Sequence, residues 1–512
     1  MEKTVATVRG QVVVPSKLGR KFGIKKGTQV FIYEKNSEIV IRPITDEYIE
    51  GMAGTMGTKG KLLKTLTRQM ENGDKPSERR RGKFLFYEFF AGGGMARAGL
   101  GKNWRCAFAN DCDEKKAASY RANWGGKELR VSDVAELTTA DLPGSVDLAW
   151  ASFPCQDLSL AGAGAGLKGK RSGTFWPFWK LMRQLNSEGR APRLAVLENV
   201  CGTLSSHEGN DFAAIGGALS NEGYRFGAVV IDAVDFLPQS RPRLFMIGVR
   251  DDAEIPESLI LPGPDANWHP KRLVKAYNRL SVRARAKWAW WALPTPPGRH
   301  TAFSDLVEDN PEGVRWHTPE ETRRLLDMMS DVNLKKVRDA KGAGRRIVGG
   351  IYRRTRRDSQ GCRTQRAEVR FDDVAGCLRT PVGGSSRQSI LVVEGDGVRS
   401  RLLSPREAAR LMGLPEEYKL PENYNEAYHV AGDGLAVPAV RFLAASLLEP
   451  ALESFSRDLG YDNAEGKGYH RHFVHREETY AFSDVRALLD DFRKDVRAIR
   501  GREWDENEED AH

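Results

Sequence analysis

FLFYEFFAGGGMARAGLG, residues 84–101, reads as a strand, three glycines and a helix. The bare backbone of Gly92, Gly93 and Gly94 lets a ligand come close to a helix N-terminus, which is how nucleotide-binding α/β proteins hold their ligands. The dinucleotide fingerprint is not met, because Arg97 stands where its third glycine belongs. Asp111 and Asp113 end the next apolar run, about twenty residues on, where an acidic side chain meets ribose hydroxyls. A tight strand–helix turn with a capping aspartate is the plainer reading of the same residues.

The alternation continues outward from this stretch. Apolar runs at Phe84–Phe89, Arg105–Asn110, Val146–Ala151, Leu194–Leu197, Gly227–Ile231 and Leu244–Val249 are separated by helical patterns. Strands in that arrangement predict a parallel sheet covered on both faces. Three further motifs stand at the ends of these runs. In ASFPCQDLSLAG (151–162), Pro154 fixes its own φ and biases Phe153 to extended geometry, so Cys155 occupies a rigidly specified position. A thiolate there sits where open α/β sheets bind ligands, although a single cysteine is more often a small buried hydrophobe. LAVLENVCG (194–202) delivers Glu198 and Asn199 to the same edge, and a carboxylate ending a buried strand is costly without a partner or a task. In FLPQSRPRLFMIGVR (236–250), Arg241 and Arg243 alternate with Ser240 and Pro242, so both guanidiniums point one way, for phosphate or base contacts or for a surface ion pair.

The remainder of the 512 residues implies two or three domains. Residues 1–50 form a small β-unit, with strands at Gln11–Val14, Gln29–Glu34 and Glu38–Arg42 and a basic helix at Ser16–Phe22. Residues 51–82 are a Gly-, Thr- and Lys-rich linker with a charged end. From 255 to 370 basic residues outnumber acidic ones roughly two to one, most densely in GAGRRIVGGIYRRTRRDSQGCRTQR (342–366). KWAWWALPTPP (287–297) reads as tryptophan-rich core rather than an aromatic wedge, and His470, His472 and His475 as surface rather than a metal site. Ser404, Pro405 and Glu407 open a capped helix that Gly413 stops, and Val485 to Ile499 mark a last amphipathic helix before an acidic tail.

Composition excludes some classes. Six cysteines without a Cys-x-x-Cys pair make neither a disulfide framework nor a zinc ribbon. No signal-peptide stretch opens the chain and no run looks long enough to span a bilayer, so a cytoplasmic protein with no membrane partner is expected. A net charge of +10 favours a polyanionic partner.

In this order, the four motifs resemble the cytosine-5 DNA methyltransferase family. FFAGGG resembles its S-adenosylmethionine loop, PCQ its catalytic loop, ENV its base-binding strand and QSRPR its Gln-x-Arg-x-Arg element. The likeness extends to LRTPVGGSSRQ (378–388), RLLSPREAARLMGLP (401–415) and GDGLAVP (432–438), covering about 84 to 450. The departures are Ala151-Ser152-Phe153 where two glycines often precede Pro-Cys, Glu88 in place of an aspartate, and Cys112 in place of an adenine-stacking aromatic.

The resemblance implies an α/β, Rossmann-like S-adenosylmethionine-dependent methyltransferase domain (83–255 and 376–455), with a smaller target-recognition domain at 256–375 and a helical extension and tail at 456–512. It implies Cys155 as nucleophile at carbon 6 of a flipped cytosine, and Glu198 holding a proton at ring nitrogen 3. Arg241 and Arg243 would hold the base and its adduct. Phe90, Ala91, Gly92 and Gly94 would lie under the cofactor, with Asp111 near its ribose and Asp133 near its adenine. No metal is implied. Double-stranded DNA is the expected partner, in a restriction-modification role beside a cognate endonuclease or in a solitary one, in a bacterial, nucleoid-associated setting.

The N-terminal unit resembles the AbrB/MazE swapped-hairpin domain, which implies homodimerisation and DNA contacts through Arg9, Lys17, Arg20 or Lys21. The rival readings are a DNA-binding regulator with a vestigial enzyme body and an RNA methyltransferase. Intact Cys155, Glu198 and Arg241 weigh against the first, and the separate basic segment with the N-terminal unit against the second.

Overall fold

The computed structural model describes residues 30–35, 38–43, 84–154, 172–252, 255–357, 362–379, 387–455, 459–462, 470–473 and 476–479. The chain divides into two units, Met1–Arg80 with Tyr480–His512, and Arg81–Thr479. In the first, β1 (Val30–Lys35) and β2 (Glu38–Pro43) pair antiparallel, with Lys35 opposite Glu38. That hairpin matches the expected strands, whereas Gln11–Val14, Ser16–Phe22 and Val485–Ile499 lie outside the described residues.

The second unit is built on a seven-stranded sheet: β3 (Phe84–Phe89), β4 (Trp104–Asp111), β5 (Leu129–Val131), β6 (Leu148–Ala151), β7 (Leu194–Val200), β8 (Tyr224–Asp232) and β9 (Pro242–Arg250). Their spatial order is β5-β4-β3-β6-β7-β9-β8. The first five are mutually parallel, but β9 runs antiparallel to β7 and β8. The expected all-parallel sheet fails there because residues 233–241, between β8 and β9, are too few for a crossover of about a dozen residues.

Successive residues on each strand enter opposite cores, as a pleated strand requires. Phe86, Trp150 and Val196 join α1 (Met95–Leu100) and the chain's later helices, including Leu443 and Leu447. Tyr87, Ala149 and Leu197 face α3 (Phe175–Ser187) and α4 (Asn210–Asn221), while α2 (Glu114–Trp124) follows β4. The tryptophan run is core, as expected. Trp291, on β11 (Trp290–Trp291, paired with β10, Ile260–Leu261), is fully buried and donates to Ile247 O, 3.3 Å.

A second sheet, β13-β12-β14-β15, comprises β12 (Ile347–Arg357), β13 (Arg363–Arg370), β14 (Ser389–Glu394) and β15 (Gly397–Leu402), all antiparallel. Helices Pro319–Asp327 and Asp331–Gly342 cover one face through Leu325, Val337, Ile351, Val369 and Leu391. A small antiparallel sheet of β16 (Leu459–Asp462), β17 (His470–Phe473) and β18 (Arg476–Thr479) ends the unit.

The helix Pro405–Arg410 opens with the expected capping box, Ser404 with Glu407. Glu407 also forms a fully buried pair with Arg401, 2.6 Å, and accepts the N–H groups of Ser404 and Glu308. Every carboxylate oxygen there has donors, and removing either partner would leave a buried charge at a cost of about 3–5 kcal/mol. One expectation is corrected: Tyr424–Ser454 is long and apolar enough to cross a membrane by length and composition. Its Val430, Val440, Leu443, Leu447 and Leu452 are instead buried in the first core.

Candidate active site

Parallel strands bring the carboxyl ends of β3, β4, β6 and β7 to one sheet edge, and the antiparallel β9 starts there. The loop after β3 is bent by positive φ at Phe90 (57°), Gly92 (55°) and Gly94 (78°). A Cβ on Gly92 would meet nothing within 4 Å, whereas one on Gly94 would strike Trp124. Gly92 therefore faces open space at the strand ends, and Gly94 is required by packing. Phe90 is half-buried and Ala91 buried.

The N-terminus of α1 is already occupied by protein. The Glu88 carboxylate accepts the Arg97 N–H, 3.3 Å, and its other oxygen has no hydrogen-bond partner among the described residues. A ligand in this loop would thus meet glycine backbone rather than the helix end. Burial pushes the Glu88 carboxyl up to about 8, against the Arg97 N–H and guanidinium. A carboxyl raised on folding contributes stability that is complete at acid pH and lost as pH climbs from its unfolded value through about 8. Glu88→Gln should therefore melt at a nearly constant temperature from pH 6 to 9 while the wild type falls, a difference of about 1–3 kcal/mol by pH 9. Parallel melting curves for the two proteins would contradict this.

Asp111 is buried at the end of β4, and its two oxygens accept the N–H groups of Gly92 (2.8 Å) and Asp113 (2.9 Å). It closes the loop onto β4 and keeps lone pairs for further donors. Asp133 is exposed and accepts the Ala135 N–H, 2.9 Å, and Cys112 is exposed beside Asp111. A nucleoside ligand fits this set: an open glycine, a half-buried ring and two carboxylates at adjacent strand ends.

The β6 exit is held from β7. Asn199 donates to Phe153 O, 3.0 Å, and its own oxygen accepts the Val200 N–H, 2.9 Å. Trp150 donates to Ser152 Oγ, 3.0 Å, and Phe153 is buried against Phe175. The backbone is therefore fixed as far as Pro154, and Cys155 lies outside the described residues. Asn199→Ala should lower kcat about tenfold to a hundredfold with substrate binding little changed, since a small misplacement of a reacting group costs that much. Steady-state kinetics would test it, and an unchanged kcat would remove Asn199 from this role.

Glu198, 7% exposed, meets Arg243 Nε at 3.3 Å. Burial pushes its carboxyl up, opposed by Arg243, Arg241 and a hydrogen bond with Ser152. Arg241 and Arg243 do point the same way: both reach Cys377 Sγ, at 3.4 and 4.0 Å. Their burial differs. Arg241 is 2% exposed and donates to the carbonyls of Leu378 (3.0 Å), Gly432 (2.8 Å) and Gly434 (2.6 Å), while Asp232 accepts its N–H at 2.6 Å. It ties β9 to two distant segments, and Arg243 is the arginine against the carboxylate.

Cys377 was not singled out by sequence. Burial opposes ionisation of its thiol, but Arg241, Arg243 and Arg379 outweigh burial and hold it below the usual cysteine value. Its only sequence signal was its position one residue before the LRTPVGGSSRQ motif.

Comparison with known proteins gives two family matches. The model of the C-5 cytosine-specific DNA methylase matches residues 84–449, and that of the antidote-toxin recognition MazE, bacterial antitoxin, matches residues 8–48. The Type II methyltransferase M.NlaX of Neisseria lactamica is 24% identical over 369 residues, covering 71% of this chain and 96% of that protein. M.HhaI of Haemophilus parahaemolyticus is 26% identical over 368 residues, covering 71% and 93%. Among solved structures, the S. pombe Dnmt2 methyltransferase aligns with a TM-score of 0.42 and 17% identity, over 72% of this chain and 98% of that one.

Proposed function

The chain belongs to the C-5 cytosine-specific DNA methylase family, and from that premise we propose that it methylates carbon 5 of a flipped cytosine in a specific duplex DNA sequence through a covalent adduct at Cys155. Bound S-adenosylmethionine supplies an electrophilic methyl group, and Phe90, Ala91, Gly92, Gly94, Asp111 and Asp133 hold it. The observation that carries the reading is the meeting, at one sheet edge, of Glu198, Arg243 and the Asn199-anchored turn that leads to Cys155.

Carbon 5 of cytosine is a weak nucleophile. The Cys155 thiolate forms a bond to carbon 6, and the ring electrons move towards carbon 5. Glu198 gives a proton to ring nitrogen 3, which burial equips it to hold. Arg243 keeps Glu198 oriented and stabilises the adduct's carbonyl, and Arg241 holds Arg243's strand in place. After carbon 5 is methylated it loses its proton to water, the freed pair restores the carbon 5–carbon 6 double bond as the Cys155 thiolate departs, and Glu198 recovers its proton from nitrogen 3. A stacked base cannot undergo this attack, so the cytosine must leave the helix.

Residues 83–255 and 376–455 make the catalytic part and 256–375 the target-recognition part. Because Trp268 and Trp291 pack on the catalytic sheet, the DNA-reading portion within 256–375 is β12, β13 and the two helices that cover them. Residues 1–50 form a dimerising DNA-binding unit, a reading that the MazE match supports. Type II relatives favour a modification role beside a restriction endonuclease.

Incubation with tritiated S-adenosylmethionine and either duplex DNA or structured RNA, followed by nucleoside chromatography, tests the reaction. Label in 5-methyl-2′-deoxycytidine is expected. Label in RNA alone, on another atom or nowhere would refute it.

A further inference from the structure

The second sheet carries an extension that the proposed chemistry does not use. β14 pairs with β12 only from Ile347 to Ile351, whereas β13 continues alongside β12 to Arg357. Arg354–Arg357 and Arg363–Arg366 therefore leave the sheet as a two-stranded ribbon about 14 Å long. Two strands with their side chains fill a major groove about 12 Å wide, and this ribbon exceeds its depth of roughly 8.5 Å.

Its charge is one-sided. Residues 352–357 and 363–368 include Arg353, Arg354, Arg356, Arg357, Arg363 and Arg366 but a single acid, Glu368. The register sets Arg354 directly opposite Arg366, and Arg357 opposite Arg363. Like charges facing each other across a ladder are destabilising, and the exposed Glu368–Arg354 contact at 3.5 Å offsets little of this. Such rungs suit a polyanion between or beside them.

The two faces are not equivalent. Ile351 and Ala367 share the face covered by the helices, where Ala367 donates to Met328 O, 3.0 Å. Alternation puts Tyr352, Arg354 and Arg366 on the other face. There the Tyr352 hydroxyl packs so closely on Gly376 that a Cβ would come within 2.4 Å. Gly376 precedes Cys377, which meets Arg243, the partner of Glu198. The Arg354–Arg366 face is thus continuous with the catalytic edge.

We propose that this ribbon enters the major groove beside the target cytosine, with Arg354 and Arg366 reading guanines and Arg357 and Arg363 contacting phosphates. The proposal rests on the DNA methyltransferase reading above. An arginine fork matches guanine O6 and N7 with two parallel hydrogen bonds from one rigid plane, a geometry that the flexible lysine ammonium does not fix.

The test uses the full chain. Phage DNA is methylated by the wild type, by R354K/R366K and by R354A/R366A, and 5-methylcytosine is mapped by sequencing. Cofactor binding and melting temperature show that each variant is folded. R354K/R366K should relax the wild-type consensus at one or two guanines. It should methylate that consensus about tenfold to a hundredfold more slowly, with the salt dependence of DNA binding kept. The alanine pair should show the same relaxation. A consensus unchanged in both variants, or a uniform loss at every sequence with a reduced salt slope, overturns the assignment of Arg354 and Arg366 as readers. A wild type that methylates no DNA overturns the functional reading itself, which separates the two failures.

Discussion

Cys155→Ala is expected to lower methyl transfer to duplex DNA by about 10⁴- to 10⁶-fold, with S-adenosylmethionine binding and melting temperature at wild-type values. The size follows from the chemistry: without addition at carbon 6, carbon 5 has no electron density to offer a methyl donor, and proximity cannot replace a missing bond. Cys155→Ser should be nearly as inactive, because a serine hydroxyl is almost wholly protonated at neutral pH. Single-turnover methylation with tritiated donor measures the effect. Substantial activity in both variants would remove Cys155 as nucleophile.

Glu198→Gln should reduce kcat by about 10²- to 10⁴-fold, the range for loss of a general acid. It should also change the pH profile. In the wild type, activity needs the protonated carboxyl, so the rate falls as pH rises through the Glu198 pKa, which burial has raised. The glutamine variant should lack that limb. Arg243 pulls the same pKa down, so Arg243→Ala should move the limb to higher pH as well as slow the reaction. A wild-type profile that Glu198→Gln leaves intact would assign the limb to another group.

Much of this was legible in residue order. The glycine loop, the capping box and the tryptophan core all appear where local physics places them. The polar ends of strands were harder. Glu198 and Asn199 stand at the end of the apolar run Leu194–Leu197, and the ladder with β9 carries β7 on to Val200, opposite Arg243. That pairing turns two separate motifs into one ion pair. The acceptors around Arg241 lie far along the chain, at Leu378, Gly432 and Gly434, so no local pattern announces them. Glu88 stood out in the sequence only as a departure from the family's aspartate, and the packing of α1 reveals it at the helix end. In the 342–366 stretch, charge density was plain, but register alone shows arginine facing arginine.

The central claim is a covalent bond between Cys155 and a cytosine in DNA. Duplex DNA carrying 5-fluorocytosine at the mapped site blocks the final proton loss, so the adduct should accumulate in the presence of S-adenosylmethionine. Denaturing electrophoresis and mass spectrometry of the digested complex should find the methylated fluorocytosine on the peptide containing Cys155. Methylation of ordinary cytosine without a trapped adduct, or an adduct on Cys377 instead, would contradict the account.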